Sequence, residues 1–556
     1  MNRWAPTQGT PPVRPGLTEG VQRLRRTASN VGAVVASALA LALYAHVDWP
    51  WLALGWVGLV PWLVVLDRVT TLRGAVALAW LMCEAFVLAV FAWLPSAIHN
   101  YTGASWFVAL AVVLLVAPVL QPQFIACALA RRLMQRGAAS FWNTALVGAC
   151  AYVGAEWTFP KLFADTLGHG LYASALLRQA ADLAGAHGLT FLLVIVNECV
   201  LVELRAVRGK THGGAPSSPL RPAAGCAAIL IALLAYGALR YRQFSDRSGQ
   251  GDRITAGVVQ ADISHYGRLA AEMGTYAAVR LILDTHFALS TEALARGPLD
   301  LLIWPETVYP TTFGASKSAD GAAFDREIGA FAARMGVPLV FGAYDAENGD
   351  EFNAAFVLQP ADGRVGFDTY RKASLFPLTE RVPAWLETDL VRRWWPWLGT
   401  WTPGNGGQVV SVTLHDGRTL RVAPLICYDA LFPRYAIAAT NEGAEVIVTL
   451  SNDSWFTFGN VPRLILVIAA FRSIETRRPQ VRATNTGISA IITPTGDIRG
   501  AIGVHERTSL VAAVQREESA MTVMLAWGDW GGPTALVVGG VSLGALLLRR
   551  VAQRGQ

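Results

Sequence analysis

The chain has 556 residues, 53% of them apolar and only 15% charged, and its mean hydropathy of +0.37 excludes disordered and fibrous classes and the usual water-soluble folds. Its formal charge of +6 does not indicate nucleic acid, because residues 1–240 hold 17 basic and 9 acidic side chains and the remainder 29 and 31. Basicity that stays with the apolar half is the pattern of a polytopic membrane protein with Lys and Arg in its cytoplasmic loops. Cys83, Cys127, Cys150, Cys199 and Cys226 lie in or beside apolar stretches as small hydrophobes, and only Cys427 lies in the polar half. No CxxC or Cys/His pair offers a zinc site, so neither a metal nor another cofactor is expected.

Residues 1–28, rich in Pro, Gly and Arg, read as a mobile cytoplasmic tail that ends in Arg23, Arg25 and Arg26. Apolar stretches follow near residues 29–46, 51–66, 74–94, 105–130, 141–159, 187–204 and 222–238. Most approach the roughly 20 residues that cross a bilayer as a helix, so residues 29–240 are expected to form transmembrane helices 1–7. Trp49, Trp51, Trp56 and Trp62 suit an interfacial aromatic belt. Arg68 and Arg73, then Arg131, Arg132 and Arg136, then Arg205, Arg208, Lys210 and Arg221 fall on one side with the N-terminus, against only Lys161 and Arg178 in the opposite loops. The positive-inside tendency therefore places residues from about 241 on the outer face. A last apolar run, 532–548, forms transmembrane helix 8 and returns the chain to a cytoplasmic tail, 549–556, carrying Arg549, Arg550 and Arg554.

Between them, residues 241–531 alternate helical stretches with short apolar strands such as Thr255–Gln260, Leu299–Trp304, Pro338–Tyr344, Ala354–Leu358, Val409–Leu414, Leu420–Cys427, Val446–Leu450 and Ser489–Thr493. Turn signals at Asp362-Gly363, Asp416-Gly417 and Thr495-Gly496 predict hairpins in a mixed α/β domain. Three strand ends carry a reactive group: Glu306 after Leu301–Pro305, Lys372 after Tyr370-Arg371, and Cys427 after Pro424–Ile426. A carboxylate, an ammonium and a thiol are the parts of acyl transfer, namely a base, an oxyanion partner and a nucleophile.

Their wording is more specific than their spacing. Trp304-Pro305-Glu306, Tyr370-Arg371-Lys372 followed by Glu380 and Val382-Pro383, Ile426-Cys427-Tyr428-Asp429, and Ser451-Asn452-Asp453-Ser454-Trp455-Phe456 resemble the nitrilase superfamily of carbon-nitrogen hydrolases. With the apolar spans, Glu156-Trp157, Gly185–Gly188 leading to Phe191, and Arg472–Gly487 with Arg482 and Asn485, the chain looks like the apolipoprotein N-acyltransferase branch over roughly residues 30–548. The resemblance implies an α-β-β-α sandwich on the periplasmic side of the inner membrane, seated on an α-helical bundle of about eight transmembrane helices. It implies that Cys427 takes an acyl chain from a phospholipid as a thioester and passes it to the α-amine of the diacylglyceryl-modified cysteine of an apolipoprotein. Glu306 is then the general base and acid, Lys372 with the Tyr428 N–H holds the oxyanion, and Glu380 is the second acid of the pocket.

A membrane-embedded donor and acceptor give the helical half its purpose. Extracting a chain of more than a dozen carbons costs on the order of 10 kcal/mol at about 0.8 kcal/mol per CH₂, which favours a site open sideways to lipid. Trp385, Trp394, Trp395, Trp397 and Trp401, with Arg392 and Arg393 among them, read as an interfacial arm beside that site, or else as packing under a long loop. Asp429 reads equally as a site carboxylate or as a brace on nearby backbone. Glu84, Glu156 and Glu198 lie in expected spans, where ionisable groups are costly, while His169, His187, Asn452, Asp453 and Arg482 read as structural. The chain departs from the family at Ala261–Tyr266, Pro377-Leu378-Thr379, Asp429 and Thr457, all around the pocket. Two other readings therefore stand beside the first: a membrane-tethered amidase or divergent acyltransferase with another acceptor, and a catalytically silent scaffold.

Overall fold

The computed structural model describes residues 15–137, 139–159, 161–207, 220–245, 252–264, 266–361, 364–455 and 459–554. The first half of the expected tail, Arg208, Lys210, the Asp362-Gly363 turn, Phe456 and Thr457 lie outside these residues.

The helical half consists of α1 (Pro15–Tyr44), α2 (Val60–Leu66), α3 (Leu72–Val90), α4 (Leu94–Thr102), α5 (Trp106–Leu120), α6 (Pro122–Arg136), α7 (Phe141–Thr158), α8 (Ala181–Val207) and α9 (Leu220–Ser245). Helix α1 begins at Pro15, so the second half of the segment read as a mobile tail has helical backbone. Among the described residues four helices are long and apolar enough to cross a bilayer, over Arg25–Tyr44, Leu72–Val90, Pro222–Ser245 and Gly531–Ala552. Helices α5 and α6 make a further candidate as a pair bent by 46° at Gln121-Pro122, where proline can open a helix but not continue one. The stretch expected as the second span is divided into a 3₁₀ turn, Trp51–Trp56, and the short α2. Helices α7 and α8 carry inward polar side chains, including Glu156, Asp182, Asn197 and Glu198. Helix α8 also kinks at Ala184-Gly185, where Gly185 takes φ +62°, a conformation that glycine adopts without a Cβ clash.

The second half follows the order β1 (Arg253–Gln260), α10 (Tyr266–Met273), α11 (Thr275–Ala295), β2 (Leu301–Ile303), β3 (Tyr309–Thr312), α12 (Ala319–Met335), β4 (Leu339–Glu347), β5 (Asp350–Ala361), β6 (Arg364–Arg371), α13 (Asp389–Trp394), β7 (Val410–Thr413) and β8 (Thr419–Ile426). It continues through α14 (Pro433–Asn441), β9 (Val446–Ser451), α15 (Val461–Thr476), β10 (Gln480–Thr484), β11 (Ser489–Ile492), β12 (Ile498–Ile502), β13 (Thr508–Gln515), α16 (Val523–Trp527) and α17 (Gly531–Arg554). One sheet has the order β13-β1-β2-β4-β5-β6 with β3 beside β4, and the other β12-β11-β10-β9-β8-β7. Their facing sides meet in a core that includes Val258, Ile303, Val357, Val422, Val448 and Val481. The outer face of the first sheet is covered by α11 and α12 through Ile282, Phe324, Ile328 and Phe331, and that of the second by α14 and α15 through Ala436, Ala439 and Ala469. This is the α-β-β-α sandwich expected from the motifs.

The two halves are joined by buried polar contacts. Asp182 on α8 accepts from Arg477 at 2.7 Å, Arg240 at 2.8 Å and Tyr236 at 2.7 Å. Arg178 pairs with Asp497 and Tyr172 donates to the Gly496 carbonyl, so the β11–β12 turn rests on the loop before α8. Within the sandwich, Arg472 on α15 donates to the Leu431 carbonyl and pairs with Glu475.

Candidate active site

Strands β1, β2 and β4 run parallel, as do β8, β9 and β10. Ligands of open parallel sheets bind outside the carboxyl ends of the strands, and the three expected groups emerge at such ends. Glu306 follows β2 after Trp304, whose fully buried indole donates to Ser290 Oγ at 2.8 Å and fixes the strand exit. Lys372 follows β6, its N–H donating to the Asn353 carbonyl at 2.8 Å. Cys427 follows β8 and opens a 3₁₀ turn, Cys427–Leu431, with φ +47°. A non-glycine residue in that region stores about 1–3 kcal/mol and persists only where its surroundings hold it.

The Lys372 ammonium donates to Glu306 Oε1 at 2.9 Å and to Glu380 Oε1 at 2.8 Å. Asn353, a residue the motifs did not single out, donates from its one Nδ2 to the same two oxygens at 2.8 and 3.1 Å. The remaining oxygens are held by backbone, Glu306 Oε2 by the Asn452 N–H at 2.8 Å and Glu380 Oε2 by the Phe376 N–H at 2.7 Å. Two carboxylates, Glu306 buried and Glu380 partly exposed, thus share one ammonium and one amide.

Burial opposes the Lys372 charge, but Glu306, Glu380 and the neighbouring Cys427 lift its pKa well above the ordinary lysine value. Burial and then Glu306 push the Cys427 thiol up, and Lys372 and a hydrogen bond with Ser451 offset only part of this. The resting group is therefore the thiol, and making it a nucleophile requires a base within reach.

Asp429 is fully buried and accepts from the Ser374 N–H at 2.6 Å, Tyr370 Oη at 2.9 Å and the Ile426 and Ala373 N–H groups at 3.2 Å. It ties the ends of β6 and β8 together, which matches the bracing alternative, and burial pushes its pKa up to about 6 despite those donors. Tyr428 turns its ring between Phe376 and Phe432 and donates its hydroxyl to the Lys161 carbonyl at 3.1 Å, seating the site on the helical half. Arg482 pairs with Asp453 at 2.8 Å in the floor beneath Ser451. Outside the cluster, Glu156 holds Lys161 at 3.0 Å, Glu198 pairs with Arg131, Glu84 hydrogen-bonds Trp80, His169 accepts from the Thr166 N–H, and His187 meets Asp529 at 3.7 Å.

The tryptophan segment leaves Trp385 79%, Trp394 68%, Trp397 54% and Trp395 49% exposed, so these four do not pack under a loop. Trp401 differs, lying against Tyr344 with ring centroids 4.5 Å apart. Among the described residues Asp300, His415 and Asp416 are the one cluster with metal-ligating groups. It lies at the opposite end of β8 from Cys427, and Arg418 already holds Asp416 at 2.5 Å.

A carbon-nitrogen hydrolase model matches residues 255–522, and an apolipoprotein N-acyltransferase N-terminal domain model matches residues 36–199. The apolipoprotein N-acyltransferase of Bdellovibrio bacteriovorus is 27% identical over 512 residues, covering 89% of this chain and 90% of its own. That of Geobacter metallireducens is 26% identical over 506 residues, covering 89% and 91%. That of Bradyrhizobium diazoefficiens is 30% identical over 458 residues, 77% of each chain. Matched in both halves and at this identity along most of its length, the chain belongs to the apolipoprotein N-acyltransferase family, within the carbon-nitrogen hydrolases of the nitrilase superfamily.

Proposed function

We propose that the protein transfers an acyl chain from a phospholipid to the N-terminal α-amine of the diacylglyceryl-modified cysteine of an apolipoprotein, by way of a thioester on Cys427. Glu306 takes the thiol proton as sulfur attacks the ester carbonyl. Lys372 and the Tyr428 N–H hold the tetrahedral oxyanion, and Glu306 then protonates the departing lysophospholipid oxygen. In the second half-reaction the amine nitrogen attacks the thioester carbonyl, its proton passes through Glu306 to the leaving sulfur, and the free thiol returns. One observation carries this reading: Cys427 is held at φ +47° within the field of an ammonium shared by the buried Glu306 and the partly exposed Glu380. The raised thiol pKa fits a mechanism in which base and nucleophile are separate groups.

We read the helical half as eight crossings of the inner membrane, made by α1, by α2 with the turn before it, by α3, the α5–α6 pair, α7, α8, α9 and α17, with both ends cytoplasmic and residues 241–531 periplasmic. The contacts between loops support this order. Asp67 meets Arg131 and Arg205, and Thr70 accepts from Arg132 and Arg136, all on the expected cytoplasmic side. Lys161, Arg178 and Asp48, expected outside, all touch the sandwich.

The test is mass spectrometry of detergent-purified protein incubated with phosphatidylethanolamine carrying an isotope-labelled acyl chain. A hydroxylamine-sensitive adduct on the Cys427 peptide, absent from Cys427→Ala, is the expected result. Folded protein that forms no adduct from any phospholipid overturns the reading.

A further inference from the structure

An aromatic corner stands beside the shared carboxylates and has no part in the chemistry described so far. Tyr344 on β4 lies directly opposite Asn353 on β5, and opposite residues of an antiparallel pair share a face. Asn353 reaches Glu306 and Glu380 from that face, so the Tyr344 ring is on the same side. Two residues earlier on this face is Gly342, where a Cβ would lie 2.6 Å from Glu306 Cα and 2.4 Å from the Thr307 nitrogen. The backbone that carries Glu306 is therefore laid directly on β4. The Trp401 ring packs on Tyr344 with centroids 4.5 Å apart and planes tilted by 46°, and the Trp401 backbone N–H donates to the Glu380 carbonyl at 3.0 Å. The Tyr344 ring is half-buried, and among the described residues no hydrogen bond reaches its hydroxyl. Burial first, then the fields of Glu306, Tyr266, Glu380 and Glu351, push its pKa up, so the hydroxyl keeps its proton in negative surroundings.

The charge balance of this corner selects a ligand class. Two carboxylates share one ammonium, which leaves a formal negative charge on the side of the sheet that carries the Tyr344 and Trp401 rings. Ring faces attract a cation by about 0.5–2 kcal/mol, and a phenol oxygen accepts an N–H. We propose that Tyr344 and Trp401, backed by Glu306 and Glu380, form a subsite for a primary ammonium, an inference that rests on the acyl-transfer reading above. A bound ammonium loses one proton to solvent before its nitrogen attacks, and the subsite delivers that nitrogen beside Glu306. Two molecules bring this group to the site: the acceptor through its N-terminus, and an ethanolamine phospholipid through its headgroup.

Tyr344→Phe removes the hydroxyl alone, and Tyr344→Leu removes the ring as well. Each is checked for an unchanged unfolding midpoint and then assayed in the two half-reactions separately. If the acceptor is the source, KM for a diacylated lipopeptide rises about threefold to tenfold in Tyr344→Phe and further in Tyr344→Leu, while thioester formation from phosphatidylethanolamine and phosphatidylglycerol is unchanged. If the headgroup is the source, thioester formation slows with phosphatidylethanolamine and not with phosphatidylglycerol. Equal slowing with both donors, or no change in either half-reaction, overturns the proposal. A second measurement needs no turnover: binding of the lipopeptide and of its N-acetylated form to Cys427→Ala protein. Tighter binding of the free amine, lost in Cys427→Ala/Tyr344→Leu, supports the subsite with the acceptor as its source, and equal binding of both peptides, together with thioester formation in Tyr344→Leu that does not discriminate phosphatidylethanolamine from phosphatidylglycerol, overturns it.

Discussion

At the scale of single residues, the groups proposed to react are held by partners to which no chemistry is assigned. Asn353 donates to both carboxylates from one nitrogen, so Asn353→Ala leaves two carboxylates a donor short, one of them buried. A hydrogen bond to a charged group is worth about 1.5–3 kcal/mol, so turnover should fall roughly tenfold to a hundredfold. KM for phospholipid should stay nearly constant, because Asn353 faces the carboxylates; a rise in KM at constant turnover would contradict this. Asp429 makes stability depend on pH. Its folded pKa of about 6 lies above the ordinary 3.8, so the folded protein keeps a proton that the unfolded chain has already released. The associated stabilisation is complete below about pH 4 and is lost as pH rises through about 6, a change on the order of 3 kcal/mol. Asp429→Asn cannot titrate there. The gap between variant and wild-type unfolding midpoints in detergent should therefore shift between pH 4 and 6 and stay level above 7, whereas a gap that is constant throughout would reject burial as the cause.

At the scale of elements, the arm between Val382 and Trp401 presents indoles outward while its root is tied inward. The Arg392 guanidinium donates to the Leu398 carbonyl at 2.7 Å, and the Gly399 N–H to the Leu378 carbonyl at 3.0 Å. An exposed indole that enters a lipid interface gains about 1 kcal/mol, half or less of full aromatic burial. The double variant Trp385→Ala/Trp394→Ala should therefore raise KM for phospholipid in mixed micelles roughly tenfold and leave the saturated acylation rate unchanged. Unaltered KM would assign the arm to structure alone. The strand ends were legible in the sequence because reactive groups followed short apolar runs bounded by turns, a pattern that survives folding unchanged. Asn353 and Tyr344 were not legible, since each sits inside a strand whose alternation explains it without reference to a site, and only the β4–β5 register brings them together. The helical half was read less fully. Apolar length marks a span, but length alone does not weigh the proline and the glycine inside it, and the break falls at Gln121-Pro122 and the kink at Gly185.

At the scale of the whole molecule, the proposed transfer between lipids needs the sandwich fixed to the helices beneath it, and Asp182 is a buried carboxylate at that joint. Asp182 is fully buried and meets Arg477, itself fully buried, together with Arg240 and Tyr236. Arg477 also donates to the Gln179 side chain and carbonyl, so the turn between α15 and β10 is gripped by the start of α8 and its approach. Taking one partner from a buried pair costs about 3–5 kcal/mol, because it leaves a charge without its counter-ion. Asp182→Ala should accordingly lower the unfolding midpoint in detergent by several degrees. The isolated Glu306-Lys372-Glu380 cluster has no contact with Asp182, so acylation by a short-chain water-soluble ester should persist in the variant below its new midpoint while acylation from bilayer phospholipid falls. Equal loss with both donors would mean that Asp182 supports the sandwich itself. Loss confined to the bilayer donor assigns it to docking, the step that sets the site at the depth where lipid can enter.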